Sequence, residues 1–308
     1  MEEGIDFKEV TLSDRAVIEK YLRTYESQNC ERTFACTYLW RKRFPVTWAI
    51  VCDTLVFKSR TSGRTAYTFP AGEEEDAYQA VEQLKGLSRE KGEPFLLYMI
   101  TPRMFEQLDR WYPGLFTVEY YRNAADYVYE TEKLRDLPGK KYHGKRNHIH
   151  QFKKQYDGRW SYEPMTGENT GECLAMAGIW GEKNDCELDP EKKCEMEVTR
   201  EALTLFEPLH LTGGLLKVDG DVVAFTIGEP LSRDMFVVHF EKAYPDVPGA
   251  YTMINQQFVE HACTGYTYVN REEDTGAEGL RKAKLSYHPA FLVEKGFVEE
   301  KENKKDDC

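Results

Sequence analysis

Asn270-Arg271-Glu272-Glu273-Asp274-Thr275-Gly276-Ala277-Glu278-Gly279-Leu280-Arg281-Lys282-Ala283-Lys284-Leu285-Ser286-Tyr287-His288-Pro289 sets three acids against a glycine and then turns basic. The preceding Tyr266-Thr267-Tyr268-Val269 is aromatic and β-branched, which predicts a short strand. A helix is predicted from about Ala277 to Tyr287. Asp274 or Thr275 can cap it, Glu278 lies near its positive end, and Pro289 pushes His288 out of the α region. Arg281 and Lys284 are three residues apart and share a face, while Lys282 points elsewhere. Carboxylates at a strand end beside a basic helix suit an ionised ligand; a well-capped surface helix has the same spacing.

Working back from that stretch, Ala250 to Cys263 reads as a helix with Met253, Ile254 and Phe258 inward, and Met235 to Glu241 as a strand. Leu215 to Val218 and Val222 to Gly228 flank Asp219-Gly220-Asp221, a strong hairpin signal. Asp189-Pro190 opens a helix as cap and first-turn pair, and Glu168 to Glu182 is another helix. Forward of it, Ala290 to Glu299 is expected as one last strand. Farther back, no acid occurs between Asp136 and Asp157 in a chain of net charge −12. Lys140, Lys141, Lys145 and Arg146 fall in that window, and His148, Phe152 and Tyr156 recur every fourth residue. A helix with one aromatic face and a basic remainder follows, suited to phosphate contact or simply solvated.

The first half has a similar order. A strand-like piece and a helix occupy 7–26, with Ser13 as the expected cap. A meander follows from Trp48 to Phe69, then a helix Glu74 to Lys91, a buried strand Phe95 to Ile100, a helix Pro102 to Trp111 and a strand Phe116 to Tyr121. Pro138-Gly139 is the natural break. The expected domains are therefore 1–137 and 138–298, with 299–308 a disordered charged tail.

Composition bounds the function. Hydrophobic residues make up 41% and charged residues 31%, as in a globular protein, and the acidic balance excludes generic nucleic-acid or membrane-surface binding. Any anionic partner must meet a local basic patch. No apolar run approaches the roughly 18 residues of a membrane span, and Met1 to Asp6 is no signal peptide, so a cytoplasmic protein is expected. The eight cysteines form no CxxC pair, and no metal site is expected.

The succession of hairpin, strand, glycine-ended loop, helix, strand and helix resembles the GCN5-related N-acyltransferase fold. More specifically, Gly139 to Asn147, Phe236 to Ala243 and Asn270 to Lys284 resemble a bacterial family related to the C-terminal domain of phosphatidylglycerol lysyltransferase, over nearly the whole chain. The resemblance implies an α/β protein of two tandem acyltransferase-like domains, the second with the more complete site. Lysyltransferases proper carry a multi-helix membrane domain, and no counterpart of it is expected within these 308 residues. The loop before the long helix, Asp246-Val247-Pro248-Gly249-Ala250, has one glycine where coenzyme A enzymes crowd several amides around a pyrophosphate.

Aminoacyl-tRNA is accordingly the expected donor, with a small molecule or a lipid as acceptor. Acyl-coenzyme A as donor, or a non-catalytic module whose slot is filled by side chains, are the alternatives. In such a fold the end of the central strand, His239 to Lys242, holds the donor. Glu241 is a candidate base or ammonium ligand and Tyr251 a candidate acid for the leaving oxygen. His239, Asn270, Glu272, Glu273 and Asp274 are candidate substrate ligands, the carboxylates for an ammonium. Arg281 and Lys284 would face a phosphate or carboxylate. Lys140, Lys141, Lys145, Arg146 and Gly249 would meet phosphate or tRNA.

Overall fold

The computed structural model describes residues 5–301, and these form two compact units, each with a seven-stranded mixed sheet. The first unit comprises the chain up to Asp126, Glu273–Gly276 and the segment from Val293; the second comprises Tyr127–Glu272 and Ala277–Leu292.

In the first unit, β1 (Lys8–Glu9) leads through a single 3-10 turn to α1 (Arg15–Thr24) and α2 (Phe34–Trp40). Thr11, not Ser13, caps that turn: its backbone amide and hydroxyl both bond Asp14 Oδ2, at 2.9 and 2.8 Å. The meander β2 (Val46–Val51), β3 (Thr54–Thr61) and β4 (Arg64–Thr68) follows. Helix α3 (Glu74–Glu90) then crosses to β5 (Leu96–Ile100), parallel to β4. Ala77, Ala80, Val81 and Leu84 of α3 are fully buried at helical spacing. Helix α4 (Pro102–Trp111) and β6 (Phe116–Tyr120) complete this part.

The second unit takes β7 (Asp126–Glu130), α5 (Thr131–Asp136), α6 (His143–Gln155), β8 (Trp160–Pro164), α7 (Thr170–Lys183) and α8 (Pro190–Thr204). The hairpin β9 (Thr212–Val218) and β10 (Asp221–Pro230) turns at Asp219-Gly220, both left-handed, as expected of a type I′ turn. Strand β11 (Met235–Ala243), helix α9 (Ala250–Ala262), β12 (Tyr268–Asn270), α10 (Glu278–Leu285) and β13 (Phe291–Val293) follow, and β14 (Gly296–Glu300) is last. On α6, Phe152 is fully buried and its ring lies 4.9 Å from that of Tyr156, so the aromatic face packs inward.

The two sheets have the same plan. Their orders are β1-β2-β3-β4-β5-β14-β6 and β8-β9-β10-β11-β12-β7-β13, with a parallel pair (β4·β5, β11·β12) in the same place. The strand beyond each parallel pair is exchanged: β14 from the end of the chain enters the first sheet, and β7 enters the second. This relocates three expectations. The break at Pro138-Gly139 lies inside the second unit, because β7 pairs with β12. The last strand is two strands in different sheets, β13 and β14, separated at Glu294-Lys295. Within the expected tail, Glu299 and Glu300 are paired strand residues, and residues 302–308 lie outside the described residues. Among the described residues, no helix is long and apolar enough to cross a membrane.

One irregularity positions the site. Between β10 and β11, Ile227 faces Phe240 while Gly228 faces Val238, so His239 is an extra residue in a β-bulge. Gly228 is needed there, since a Cβ on it would lie 2.0 Å from the Val237 carbonyl oxygen. Gly228→Ala should therefore cost about 2–3 kcal/mol in urea unfolding. An unchanged midpoint would show that the bulge relaxes freely.

Candidate active site

Pairing of β11 with β12 stops at Val237 and Asn270, although β11 continues to Ala243. Strand β12 ends there, and charged side chains join the loop that follows it to the rest of β11. Asn270 is fully buried and its Oδ1 accepts the Glu272 amide at 2.7 Å. That Asx turn puts Glu272 in a left-handed conformation (φ 58°) and sends consecutive side chains in different directions.

Glu272 reaches His239. Nδ1 of the imidazole lies 2.7 Å from Glu272 Oε1 and Nε2 lies 2.9 Å from Glu229 Oε1, with the ring only 2% exposed. Burial alone would depress the imidazole pKa, but the hydrogen bonds and charges of the two carboxylates raise it to about 10. His239 is thus an imidazolium donating from both nitrogens, and it ties β10, β11 and the loop together.

Arg271 reaches Glu241. Its Nη2 donates to Glu241 Oε1 at 2.9 Å, and Asn255 Nδ2 from α9 donates to Oε2 at 3.0 Å. The guanidinium lies over the ring of Tyr287 at 4.9 Å. From α6, the Lys145 ammonium sits 3.8 Å from the centre of the same ring. Burial, with the Arg271 charge adding to it, lowers the Lys145 pKa to about 8.

Glu273 and Asp274 serve the first unit. Lys295 Nζ, 1% exposed, is 2.7 Å from Asp126 Oδ1, 2.7 and 2.9 Å from the Glu31 carboxylate, 3.6 Å from Cys30 Sγ and 3.8 Å from Glu273 Oε2. Burial opposes that ammonium, yet Asp126, Cys30, Glu31 and Glu273 hold its pKa well above the ordinary lysine value. Burial together with the excess of carboxylates raises Glu31 to about 7, against the pull of Lys295. Cys30, Glu31 and Asp126 are close enough together to hold a cation. The cation there is Lys295. Asp274, fully buried, accepts the Gly276 amide at 2.9 Å and faces Arg122 at 3.5 Å.

The remaining expected residues divide. Lys284 is not presented to a phosphate: it is buried, and its ammonium donates to the Arg271 and Glu272 carbonyls at 2.7 and 3.1 Å, holding the loop from beneath. Arg281 is partly exposed on α10. Tyr251 is 40% exposed, and its hydroxyl accepts Trp180 Nε1 at 3.2 Å. Burial raises its pKa, so the phenol keeps its proton. Lys140, Lys141 and Arg146 are exposed. Arg146 Nη1 also donates to the carbonyls of Leu137 and, at 2.8 Å, Gly139. Gly249 caps α9 at φ 84°, and a Cβ there would lie 2.6 Å from the His148 carbonyl oxygen. Its loop is packed on α6, which is why glycine is required.

Sequence reasoning missed Asn255, Arg271, Tyr287, Glu229 and Lys295. The available signal for Asn255 was an amide on the apolar face of α9. For Lys295 it was a Glu-Lys pair between two short apolar pieces, Phe291–Val293 and Phe297-Val298.

The family model described as phosphatidylglycerol lysyltransferase, C-terminal, matches residues 22–296. The chain belongs to this family. It is similar to a conserved protein of unknown function from Bacteroides thetaiotaomicron at 37% identity, covering 96% of this chain and 100% of that one with a TM-score of 0.90. It shares its fold with the C-terminal domain of a protein described as a lysylphosphatidylglycerol synthetase from Agrobacterium fabrum. That match has 13% identity, covers 95% and 93% of the two chains, and has a TM-score of 0.66. An uncharacterized protein of Mycoplasmoides gallisepticum is 26% identical over 193 residues, which is 61% of this chain and 60% of that protein's length. Membership accounts for the repeated sheet plan as a tandem acyltransferase-like fold.

The buried imidazolium yields a prediction. Its folded pKa, about 10, exceeds the unfolded value of roughly 6.5. Its stabilisation is full below about pH 6.5 and is lost as pH rises through about 10. His239→Leu strands two carboxylates, so it should cost about 3–5 kcal/mol at pH 6 in urea unfolding. The difference from the unaltered protein should shrink towards pH 10. A pH-independent difference would mean that His239 is neutral in the fold.

Proposed function

We propose that this protein transfers an aminoacyl group from aminoacyl-tRNA to a small-molecule or lipid acceptor, with the chemistry in the second unit. The observation that carries this reading is the run of β11 past the end of β12, where Glu241–Arg271 and His239–Glu272 tie the strand to the following loop. The loop before α9 is also packed against α6. Both features work against a coenzyme A pyrophosphate and pantetheine in that position. A tRNA needs no such cradle, only cations for its backbone. The exposed Lys140, Lys141 and Arg146 supply these at the start of α6. The lysyltransferase name of the family favours the same chemistry.

In the reaction, an acceptor hydroxyl or amine attacks the aminoacyl ester carbonyl, and the bond from that carbon to the ribose oxygen breaks. One proton leaves the nucleophile and one reaches the ribose oxygen, so no further reactant is consumed. Lys145, titrating near pH 8, takes the first proton as a neutral amine. Tyr251 is the group assigned to protonate the leaving oxygen. Glu241, fixed by Arg271 and Asn255, acts as the anion that anchors the site.

The test is transfer of label from a mixture of charged tRNAs to phospholipid vesicles or to small amine and hydroxyl acceptors. Lys145→Met should lower kcat about 100-fold and remove the alkaline-rising limb near pH 8. The double change Lys140→Glu and Lys141→Glu should weaken tRNA binding and reduce its salt slope by about 1.5. Turnover only with an acyl-coenzyme A would overturn the reading. Tight tRNA binding without transfer to any acceptor would make the protein a binding module.

A further inference from the structure

We infer that Asn255 and Arg271 form the subsite that holds the transferred aminoacyl group, and that this group has an uncharged side chain. The inference rests on the aminoacyl-transfer reading above and specifies its substrate.

Asn255 is 2% exposed on α9, whose neighbouring Met253, Ile254, Phe258 and Val259 are core residues. A buried carboxamide without a full set of partners is unusual. Here the orientation of the amide is fixed chemically. Glu241 is an acceptor, so the nitrogen of Asn255 must face it, as Nδ2 does at 3.0 Å. The oxygen then points away, and Asn255 Oδ1 is buried with no hydrogen bond in the protein. Arg271 shows the complementary feature. Its Nη2 is used by Glu241, whereas its Nη1 is buried and makes no hydrogen bond.

One carboxylate therefore anchors two side chains, one ending in an unused acceptor and the other in an unused donor. An α-aminoacyl ester has the matching pair on adjacent carbons, an ammonium that donates and a carbonyl oxygen that accepts. Asn255 Oδ1 takes the ammonium, and Arg271 Nη1 takes the carbonyl oxygen, where negative charge grows during attack.

Side-chain selectivity follows from the charges. Around the subsite Glu241 is paired with Arg271, and Glu229 and Glu272 are both bonded to His239. A lysyl or arginyl side chain would have to displace Arg271 or His239 from its carboxylate, and the Arg271 guanidinium adds repulsion. A neutral side chain meets neither obstacle.

Calorimetry on the full chain decides this, using 3′-amino-3′-deoxyadenosine carrying alanyl, seryl, leucyl, lysyl or arginyl groups as stable amides, and the unacylated nucleoside. The neutral analogues should bind about tenfold or more tighter than the lysyl, arginyl and unacylated ones. Asn255→Leu should remove the advantage over the unacylated nucleoside. If that variant does not fold, the series of analogues on the unaltered protein still separates the outcomes. Lysyl binding as tight as alanyl overturns the selectivity, and equal binding of acylated and unacylated nucleosides overturns the subsite. If charged tRNA is still turned over in those cases, only this inference falls. If neither charged tRNA nor any analogue binds, the aminoacyl-transfer reading falls and the subsite with it.

Discussion

A carboxylate taken out of water needs a cation, and the loop Arg271–Asp274 takes three away from water within four residues. Each is answered by a different partner: the His239 imidazolium, the Lys295 ammonium and the Arg122 guanidinium. The Asx turn at Asn270 makes this possible, because it separates side chains that would otherwise repel one another. Lys284 adds to it by donating to the Arg271 carbonyl and, beside the Tyr127 amide, to the Glu272 carbonyl. Within the second unit, His239 and Lys284 hold the part of the loop that carries Arg271, the partner of Glu241.

This arrangement separates two jobs that look alike in a sequence. Glu272, Glu273 and Asp274 are adjacent acids, and as a string they suggest a cation-binding mouth. In the fold only Glu272 belongs to the second unit's charge cluster; the next two serve the first unit. Their density measures how many internal cations the fold must settle, not how much positive charge a ligand brings. The weaker signals, one amide on an apolar helix face and one arginine among acids, mark the groups left with unused hydrogen-bonding capacity.

Much of the fold was legible because it rests on local rules. The Asp219-Gly220 turn, the α3 stripe and the Pro289 stop each declare themselves within a few residues. The repeated element order likewise implied two similar units. The exchange of β7 and β14 was not legible, because the five residues of each, Asp126–Glu130 and Gly296–Glu300, carry nothing that names the sheet they enter. The site was partly legible. Of the 270–274 loop, Arg271 and Glu272 meet Glu241 and His239, while Glu273 and Asp274 do not. The bulge that presents His239 depends on register with β10, which no window of the sequence contains. The inward turn of Lys145 was hidden too, because its neighbours Lys140, Lys141 and Arg146 are exposed and the four read as one patch.

The exchanged strands also bear on how the chain is made. The first sheet has its opening strands as soon as β1 to β5 have left the ribosome, but the place between β5 and β6 belongs to Gly296–Glu300. Until those residues emerge, β5 and β6 each present an open edge, the feature that invites pairing with the wrong chain. A chain that has not yet reached Gly296–Glu300 therefore carries edges that the folded first sheet closes.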